Sequence, residues 1–303
     1  MGKTLLILMA GFAASFGLLA VGKNRRLVES VDRMAGQFSA YKVKNAAASG
    51  AYMALNRLYL NKTWRTGYSN LVIAGDTLSV TVIDNSTEPS LGLYRVKVTA
   101  SGHNGATSNQ TQVVVFDRGS HEFAVWAKDT VINITTKDSL GMVDPALRMQ
   151  KAPFMPKIDH QNLVDEAEDQ DHVENHSTFT PDDGYPNGSF YYSGSTPNVT
   201  HVLGNLKVKS DRTVYGIFVV EGNVLLAGES TVQGILYLPN ASSTLTHTGG
   251  NTDESLVKGG VLTWGMMDGT GGNIAVRHFP QFIQKFIVNY APDNPPIRVL
   301  SWK

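Results

Sequence analysis

Thr4-Leu-Leu-Ile-Leu-Met-Ala-Gly-Phe-Ala-Ala-Ser-Phe-Gly-Leu-Leu-Ala-Val21 is an uncharged, apolar run. It passes without a break into a polar, alanine-rich segment, and the first proline of the chain is Pro89. Proline inside a helix removes a hydrogen bond and clashes with the preceding turn, so its absence permits one continuous helix. Beyond the run, Leu27, Val31, Met34, Phe38 and Tyr41 recur at steps of three or four, and Ala48, Tyr52, Leu55 and Tyr59 resume the same stripe. That spacing lines one face of a helix. A helix over 1–60 is about 85 Å long at about 1.5 Å per residue, too long for one globular core. One end is apolar all round and the other amphipathic, so the two ends require different surroundings.

Two other readings of the run compete. Its length spans a bilayer, barely. It also has the outline of a secretory signal peptide, with Lys3 as the charged region and cleavage near Ala20. Against the signal reading, nothing after Val21 breaks the helix. Lys3 flanks one side and Lys23, Arg25 and Arg26 the other. By the positive-inside rule alone, the second cluster would hold the C-terminal part in the cytoplasm. The turn-rich β character of that C-terminal part points outside the cell instead.

The chain has 303 residues, enough for two modest domains, and a formal net charge of zero. Zero net charge argues against nucleic acid or an anionic membrane surface as the main partner. There is no cysteine, so disulfides and zinc–thiolate sites are excluded. The supply of Gly, Ser, Thr and Asn suits turns and short strands.

The character changes near Asn61. Thr77-Leu-Ser-Val-Thr-Val-Ile83 and Leu93-Tyr-Arg-Val-Lys-Val-Thr99 alternate apolar with polar, and Gln112-Val-Val-Val-Phe116 is β-branched. These predict an antiparallel meander with one face free to lie on the helix. A further strand pair is expected at Glu122–Trp126 and Thr130–Thr135, completing a head over 61–136. Residues 137–203 are proline-rich with an acidic run at Asp165–Glu174, and read as a surface excursion with one short helix at His160–Glu166. From Gly204, apolar strands alternate with glycines: Val214–Gly222, Val232–Pro239 eighteen residues on, and Val257–Gly265 after a longer gap. A repeat of this size predicts a short stacked solenoid, like a parallel β-helix, over 204–303; a flat β-sandwich is the alternative. Phe279–Tyr290 has helical spacing opened by Pro280, and Ile297–Trp302 reads as a last strand. The fold class is therefore α+β: a long N-terminal helix, a β-meander head and a short β-solenoid.

The residues carry little catalytic signal. Asp171-His-Val-Glu-Asn-His176 places four possible metal ligands close together, but at a spacing that matches no recognised ligand pattern, so a solvated acidic loop is the simpler reading. Asp182-Asp183 has the form of a carboxylate pair for glycoside chemistry, and a turn before Gly184 explains it better. Neither a nucleophile elbow nor an HExxH motif occurs, and Gly269-Thr-Gly-Gly272 lacks a dinucleotide or P-loop context. No cofactor and no metal is expected, and no enzymatic activity. Asn-x-Ser/Thr sequons fall at Asn61, Asn85, Asn109, Asn133, Asn175, Asn187, Asn198 and Asn240; Asn133, Asn187, Asn198 and Asn240 are the candidate glycosylation sites.

An apolar N-terminal helix running into an amphipathic, alanine-rich segment and then a β-meander resembles the type IV pilin and pseudopilin superfamily. The hairpin Tyr94-Arg-Val-Lys-Val-Thr-Ala-Ser-Gly-His-Asn-Gly-Ala-Thr107 and the glycine-punctuated region ending in Val299-Leu-Ser-Trp-Lys303 are similar to its larger, minor-pilin-like members. The chain departs from the pattern at two points. There is no Gly-Phe-Thr processing site, and Leu5 stands where the family carries a glutamate, counted from Met1; no carboxylate precedes Glu29. The resemblance implies a non-enzymatic subunit of an extracellular filament, either a divergent main subunit or a minor one. It would be a helical homopolymer, held in the inner membrane before a pilus-type machinery assembles it. The expected packing residues are Leu5, Leu6, Leu8, Met9, Phe12, Phe16, Leu18 and Leu19. Ala10, Gly11, Ala13, Ala14 and Gly17 allow close helix approach. The alternatives are a membrane-anchored β-helix adhesin or carbohydrate-binding protein, and an anchored polysaccharide hydrolase or lyase.

Overall fold

With no proline to interrupt it, the N-terminal segment forms a single helix, α1, from Gly2 to Leu60. A computed structural model describes residues 2–250, 254–287 and 297–303 of the chain. It divides into two compact units, residues 1–117 with 297–303, and residues 118–296.

In the first unit, α1 meets an antiparallel sheet only along its C-terminal part. The strands are β1 (Tyr68–Ile73), β2 (Asp76–Asp84), β3 (Arg95–Asn104) and β4 (Thr107–Phe116), with the strand Arg298–Trp302 closing the edge beside β4. Alternation puts Leu78, Val80, Val82, Val96, Val98, Ala100, Val113 and Val115 on one face, where they form a core with Ala51, Ala54 and Leu58 of α1. Register follows from that face: Val82 pairs with Val98, and Val98 with Val113. A slip of one residue would turn the whole apolar set to solvent.

The buried face of α1 is Val43, Ala47, Ala51, Ala54 and Leu58, all fully buried. This corrects the expected stripe: Tyr52 and Tyr59 are exposed. The reason is distance. The helix approaches the sheet so closely that a Cβ on Gly50 would lie 2.5 Å from the Leu78 side chain, and one on Gly102 of β3 2.6 Å from the Val43 carbonyl oxygen. Small residues fill most of such a seam, so alanine rather than tyrosine marks the core side. Arg65 fastens the segment after the helix, donating to Asp84 (2.8 Å), Asp117 (3.3 Å) and the Lys62 carbonyl (2.7 Å).

The second unit is a parallel β-solenoid inserted between β4 and the closing strand. One wall runs through Val173–Glu174, Val199–Val202, Thr213–Val220, Thr231–Leu238, Glu254–Thr263, Asn273–His278 and Ile134–Lys137; the other runs from Thr178–Phe179 to Val131–Ile132. Successive coils pair in parallel with an eighteen-residue step where the turns are shortest, Val199 beside Ile217 and Ile217 beside Ile235. The interior is a stack of aliphatic side chains and one phenylalanine, among them Val214, Phe218, Leu226, Leu236, Leu245, Val257 and Ile274. Asparagines stitch one corner: Asn205 Oδ1 accepts from the Asn223 amide (2.8 Å), and Asn223 Oδ1 accepts from that of Thr244 (2.9 Å). At another corner Gly216 and Gly234 stack, and a Cβ on Gly234 would overlap the Gly216 carbonyl.

Three boundaries differ from the sequence reading. The strands expected to complete the meander occur as Val125–Ala127, Val131–Ile132 and Ile134–Lys137, but they pair in parallel with Val261–Thr263, Met267–Asp268 and Ile274–Arg277. The segment preceding the solenoid thus closes its far end. Short strands such as Val125–Ala127, buried throughout, and Ile134–Lys137, alternating buried with half-buried, carry no local mark of parallel or antiparallel pairing. Second, the 137–203 stretch is not one excursion. It supplies the first coils, at Val173–Glu174, Thr178–Phe179 and Val199–Val202. Its helix, α2, spans His160–Asp169. Third, the last strand belongs to the meander and not to the solenoid. The helical spacing after Phe279 gives a short turn of helix over Pro280–Ile287, and 288–290 lie outside the described residues.

An open solenoid end exposes unpaired backbone, which invites edge-to-edge association. Here α2 covers it. Leu163 and Ala167 are buried, and the Gln170 side-chain amide imitates a further strand, accepting from Val199 N (2.9 Å) and donating to the Pro197 carbonyl (2.9 Å). The acidic run stays outside: Asp165, Glu168, Asp169 and Asp171 are exposed.

Candidate functional site: the unpartnered length of α1

Alternation and small-residue spacing hold α1 to its sheet from about Ser39 onward, where Ser39 Oγ donates to Thr107 Oγ1 (3.4 Å). Every side chain described N-terminal to that is exposed. Leu6 is 72% exposed, Phe12 61%, Phe16 69% and Leu18 75%. Leu8, Met9 and Leu19 are likewise open, so seven of the eight expected packing residues lie on one bare helix; the Leu5 side chain lies outside the described residues. Exposure continues through Leu27, Val31, Met34, Phe38 and Tyr41. Single exposed apolar residues are ordinary, but a contiguous surface of this extent is a contact surface.

The glycines of α1 separate into two kinds. Gly50 lies against Leu78: a Cβ there would stand 2.5 Å from the leucine side chain, which would have to shift. Gly11, Gly17, Gly22 and Gly36 face open space, with nothing within 4 Å of a Cβ built on them. Each costs the helix about 1 kcal/mol relative to alanine, and no contact with the described residues of the chain offsets it. Ser15 folds its hydroxyl back onto the Gly11 carbonyl (2.9 Å), satisfying a polar group in an otherwise apolar surface.

The remaining candidates have structural roles. Asp182 accepts from Arg212 (3.0 Å) and Asp183 from the Thr213 amide (2.7 Å), so the carboxylate pair staples a turn to the first full coil. In the Asp171–His176 run, Glu174 receives the Tyr185 hydroxyl (3.2 Å) and lies 3.3 Å from His176. Burial, with the Glu174 charge alongside, pushes the Tyr185 phenol up to about 12. Among the described residues no group of three His, Asp or Glu side chains is placed to hold a metal ion. Of the sequons, Asn133 and Asn187 are exposed. Asn198 is fully buried, with its amide donating to Asn187 (2.9 Å) and the Ser189 carbonyl (2.7 Å), so the folded chain cannot carry a glycan there. Asn240 is exposed, but its amide nitrogen is held by Glu221 at 2.8 Å.

One polar cluster is invisible to sequence reading because its members lie far apart in the chain. His160 of α2 and His201 both face Glu221, at 3.5 and 3.3 Å. Burial and the Glu221 charge push the nearby Tyr237 phenol up to about 12. The cluster joins α2 to the solenoid wall.

No family model matches the chain, and no curated protein matches it. Among solved structures, it is similar to the competence-associated pilin ComZ from Thermus thermophilus, at 10% identity, with 88% of this chain and 97% of that chain covered and a TM-score of 0.34. What α1 does is therefore decided by its own surface.

Proposed function

We propose that the chain is a structural, non-enzymatic subunit of an extracellular type IV pilus-like filament. The apolar N-terminal part of α1 packs against the same segment of other copies in the filament core, after a membrane-held stage served by a pilus-type assembly machinery. One observation carries this: residues 6–21 are apolar all round and exposed, on a helix that the rest of the chain touches only further on. Such a surface must be covered by lipid or by protein. Full burial of a Leu, Met or Phe side chain contributes about 1.5–3 kcal/mol. Taken out of water, seven of them supply on the order of 10–20 kcal/mol, the same order as the association cost of roughly 4–15 kcal/mol; from a bilayer that transfer is already made, and close helix packing is what holds copies together. The four glycines facing open space favour protein over lipid alone, because close helix approach is what glycine provides.

A second reading has its own support. The helix contains an apolar window with mean hydropathy 1.8 and no burial, sufficient to cross a bilayer. A membrane-anchored β-solenoid adhesin or carbohydrate-binding protein would use it that way. Two variants separate the readings. Phe12→Asp places an unpaired carboxylate in the contact, at a cost of several kcal/mol, and should abolish fibres in electron micrographs while circular dichroism shows a folded chain. Deletion of residues 1–26 should give a folded monomer by sedimentation. Fibres from the deleted chain would refute the filament role of the helix.

A further inference from the structure

Six charged side chains occupy three turns of α1 just beyond the apolar run: Lys23, Arg25, Arg26, Glu29, Asp32 and Arg33. All are exposed, and none forms an ion pair or side-chain hydrogen bond with the described residues of its own chain. That is unexpected for Glu29 and Arg33. They stand four residues apart with the acid N-terminal, the favourable arrangement for a helical pair. The carboxylates are also the first in the chain, so no earlier acid balances the basic cluster.

We infer that this block sets the axial register between neighbouring copies of α1, an inference that rests on the filament reading. Take two parallel copies. With no offset every charge faces its own kind. At an offset of four residues Arg25 faces Glu29, and Glu29 faces Arg33; at six, Lys23 faces Glu29 and Arg26 faces Asp32. No like pair falls on an offset of four, five or six. At three, two like pairs (Glu29 with Asp32, Lys23 with Arg26) outnumber one opposite pair (Arg26 with Glu29); at seven the like pair of Arg26 with Arg33 is balanced by Arg25 with Asp32, and at eight Arg25 meets Arg33 alone. The block is therefore self-complementary at axial shifts of about 6 and 9 Å, at about 1.5 Å per residue; it repels at three and at eight residues and gains nothing net at seven. Apolar packing alone is non-directional and does not choose among such shifts. An exposed pair is weak singly, but in a homopolymer it recurs at every contact. The occupant of this helix face is thus a second copy, displaced along the axis.

The absence of cysteine makes the test clean. Full-length chains carrying Leu27→Cys and Val31→Cys are mixed in detergent and in reconstituted bilayers and oxidised; Val28→Cys with Met34→Cys probes the offset of six. A disulfide needs Cα atoms about 4.4–6.8 Å apart, so it reports register directly. We expect mixed dimers to exceed self-dimers severalfold in at least one of the two mixtures. That excess should disappear in a Glu29→Arg, Asp32→Arg background. It should return when Lys23, Arg25, Arg26 and Arg33 are also changed to Glu, since the inverted block is again self-complementary. Self-dimers in excess, or mixed dimers indifferent to charge, overturn the inference while leaving the filament intact. No cross-link in any mixture, together with no fibres from the unaltered chain, overturns the filament reading itself.

Discussion

The α-carbon of Gly102 lies directly beneath the main chain of Val43: a Cβ there would stand 2.6 Å from the Val43 carbonyl oxygen and 3.2 Å from the Ala47 amide nitrogen. A strand glycine thus fixes how deeply α1 sits. Both opposing atoms are backbone, which cannot swing aside as a side chain can.

Gly102→Ala should therefore lift the helix from its sheet. The cost of overpacking a well-filled core is about 1–3 kcal/mol. Thermal unfolding followed by circular dichroism should show an earlier transition. Gly75→Ala, at a turn where nothing approaches the built Cβ but φ is +85°, serves as the contrast: any loss there reflects backbone conformation alone.

The two kinds of helix glycine make opposite predictions. Gly17→Ala should stabilise α1 by about 1 kcal/mol in isolation, because no atom of the described chain approaches. In the proposed filament the same change should weaken self-association, since it would thicken the surface where copies meet. Gly50→Ala should instead destabilise the first unit, through Leu78. Detergent-resistant oligomers on gels and melting curves, measured on both variants, give the two signs.

Much of this architecture is legible in the sequence because period and composition agree locally. The helix follows from an unbroken apolar and alanine-rich stretch, and β2 to β4 from alternation at Leu78–Val82 and Val96–Ala100. The solenoid follows from glycines repeating at Gly216 and Gly234. The illegible part depends on contacts remote in sequence. Val125–Ala127 and Ile134–Lys137 look like meander strands; only the free edge left by Glu254–Thr263 and Asn273–His278 decides where they pair. The buried helix face misleads because tyrosine counts as apolar by composition, yet the sheet admits only small residues such as Ala47, Ala51 and Ala54 over most of the seam. The exposed apolar residues from Leu6 to Leu19 are readable as a surface. The Glu221 cluster is not, since His160 and His201 reach it from separate elements.

Acid should loosen the first unit. The Ser86 hydroxyl, with the Arg65 guanidinium, holds the Asp84 carboxyl down at about 2. A depressed folded value means the stabilisation is complete above the ordinary carboxylate range near 4. It is lost as pH falls from about 5 toward 2. The side chain is a quarter exposed, so solvent screening reduces the effect to about 1 kcal/mol. Comparing melting temperatures at pH 7 and pH 3, Asp84→Asn should be less stable at pH 7 and should lose less on acidification. An equal loss in both proteins would place the acid sensitivity elsewhere.

The solenoid should be removable. Phe116, at the end of β4, pairs directly with Arg298 in the closing strand, so the two connections of the inserted unit leave the sheet side by side. Antiparallel neighbours are joined most simply by a two-residue turn, for which Asn-Gly has the required left-handed backbone. Replacing residues 118–296 by Asn-Gly between Asp117 and Ile297 should close the sheet as a hairpin. The core of Leu78, Val80, Val82, Val96, Val98, Val113, Val115 and the α1 alanines is drawn wholly from the retained chain. Arg65, Asp84 and Asp117 also remain, so the fastening behind the helix is unchanged. The shortened chain should melt cooperatively and give dispersed amide resonances in detergent. It should also form the same cross-links along α1 as the full chain, because every packing and charged residue named there is kept. A molten spectrum would mean that the closing strand needs the inserted unit to find β4. A folded head without cross-links would mean that the solenoid, and not the helix alone, brings copies together.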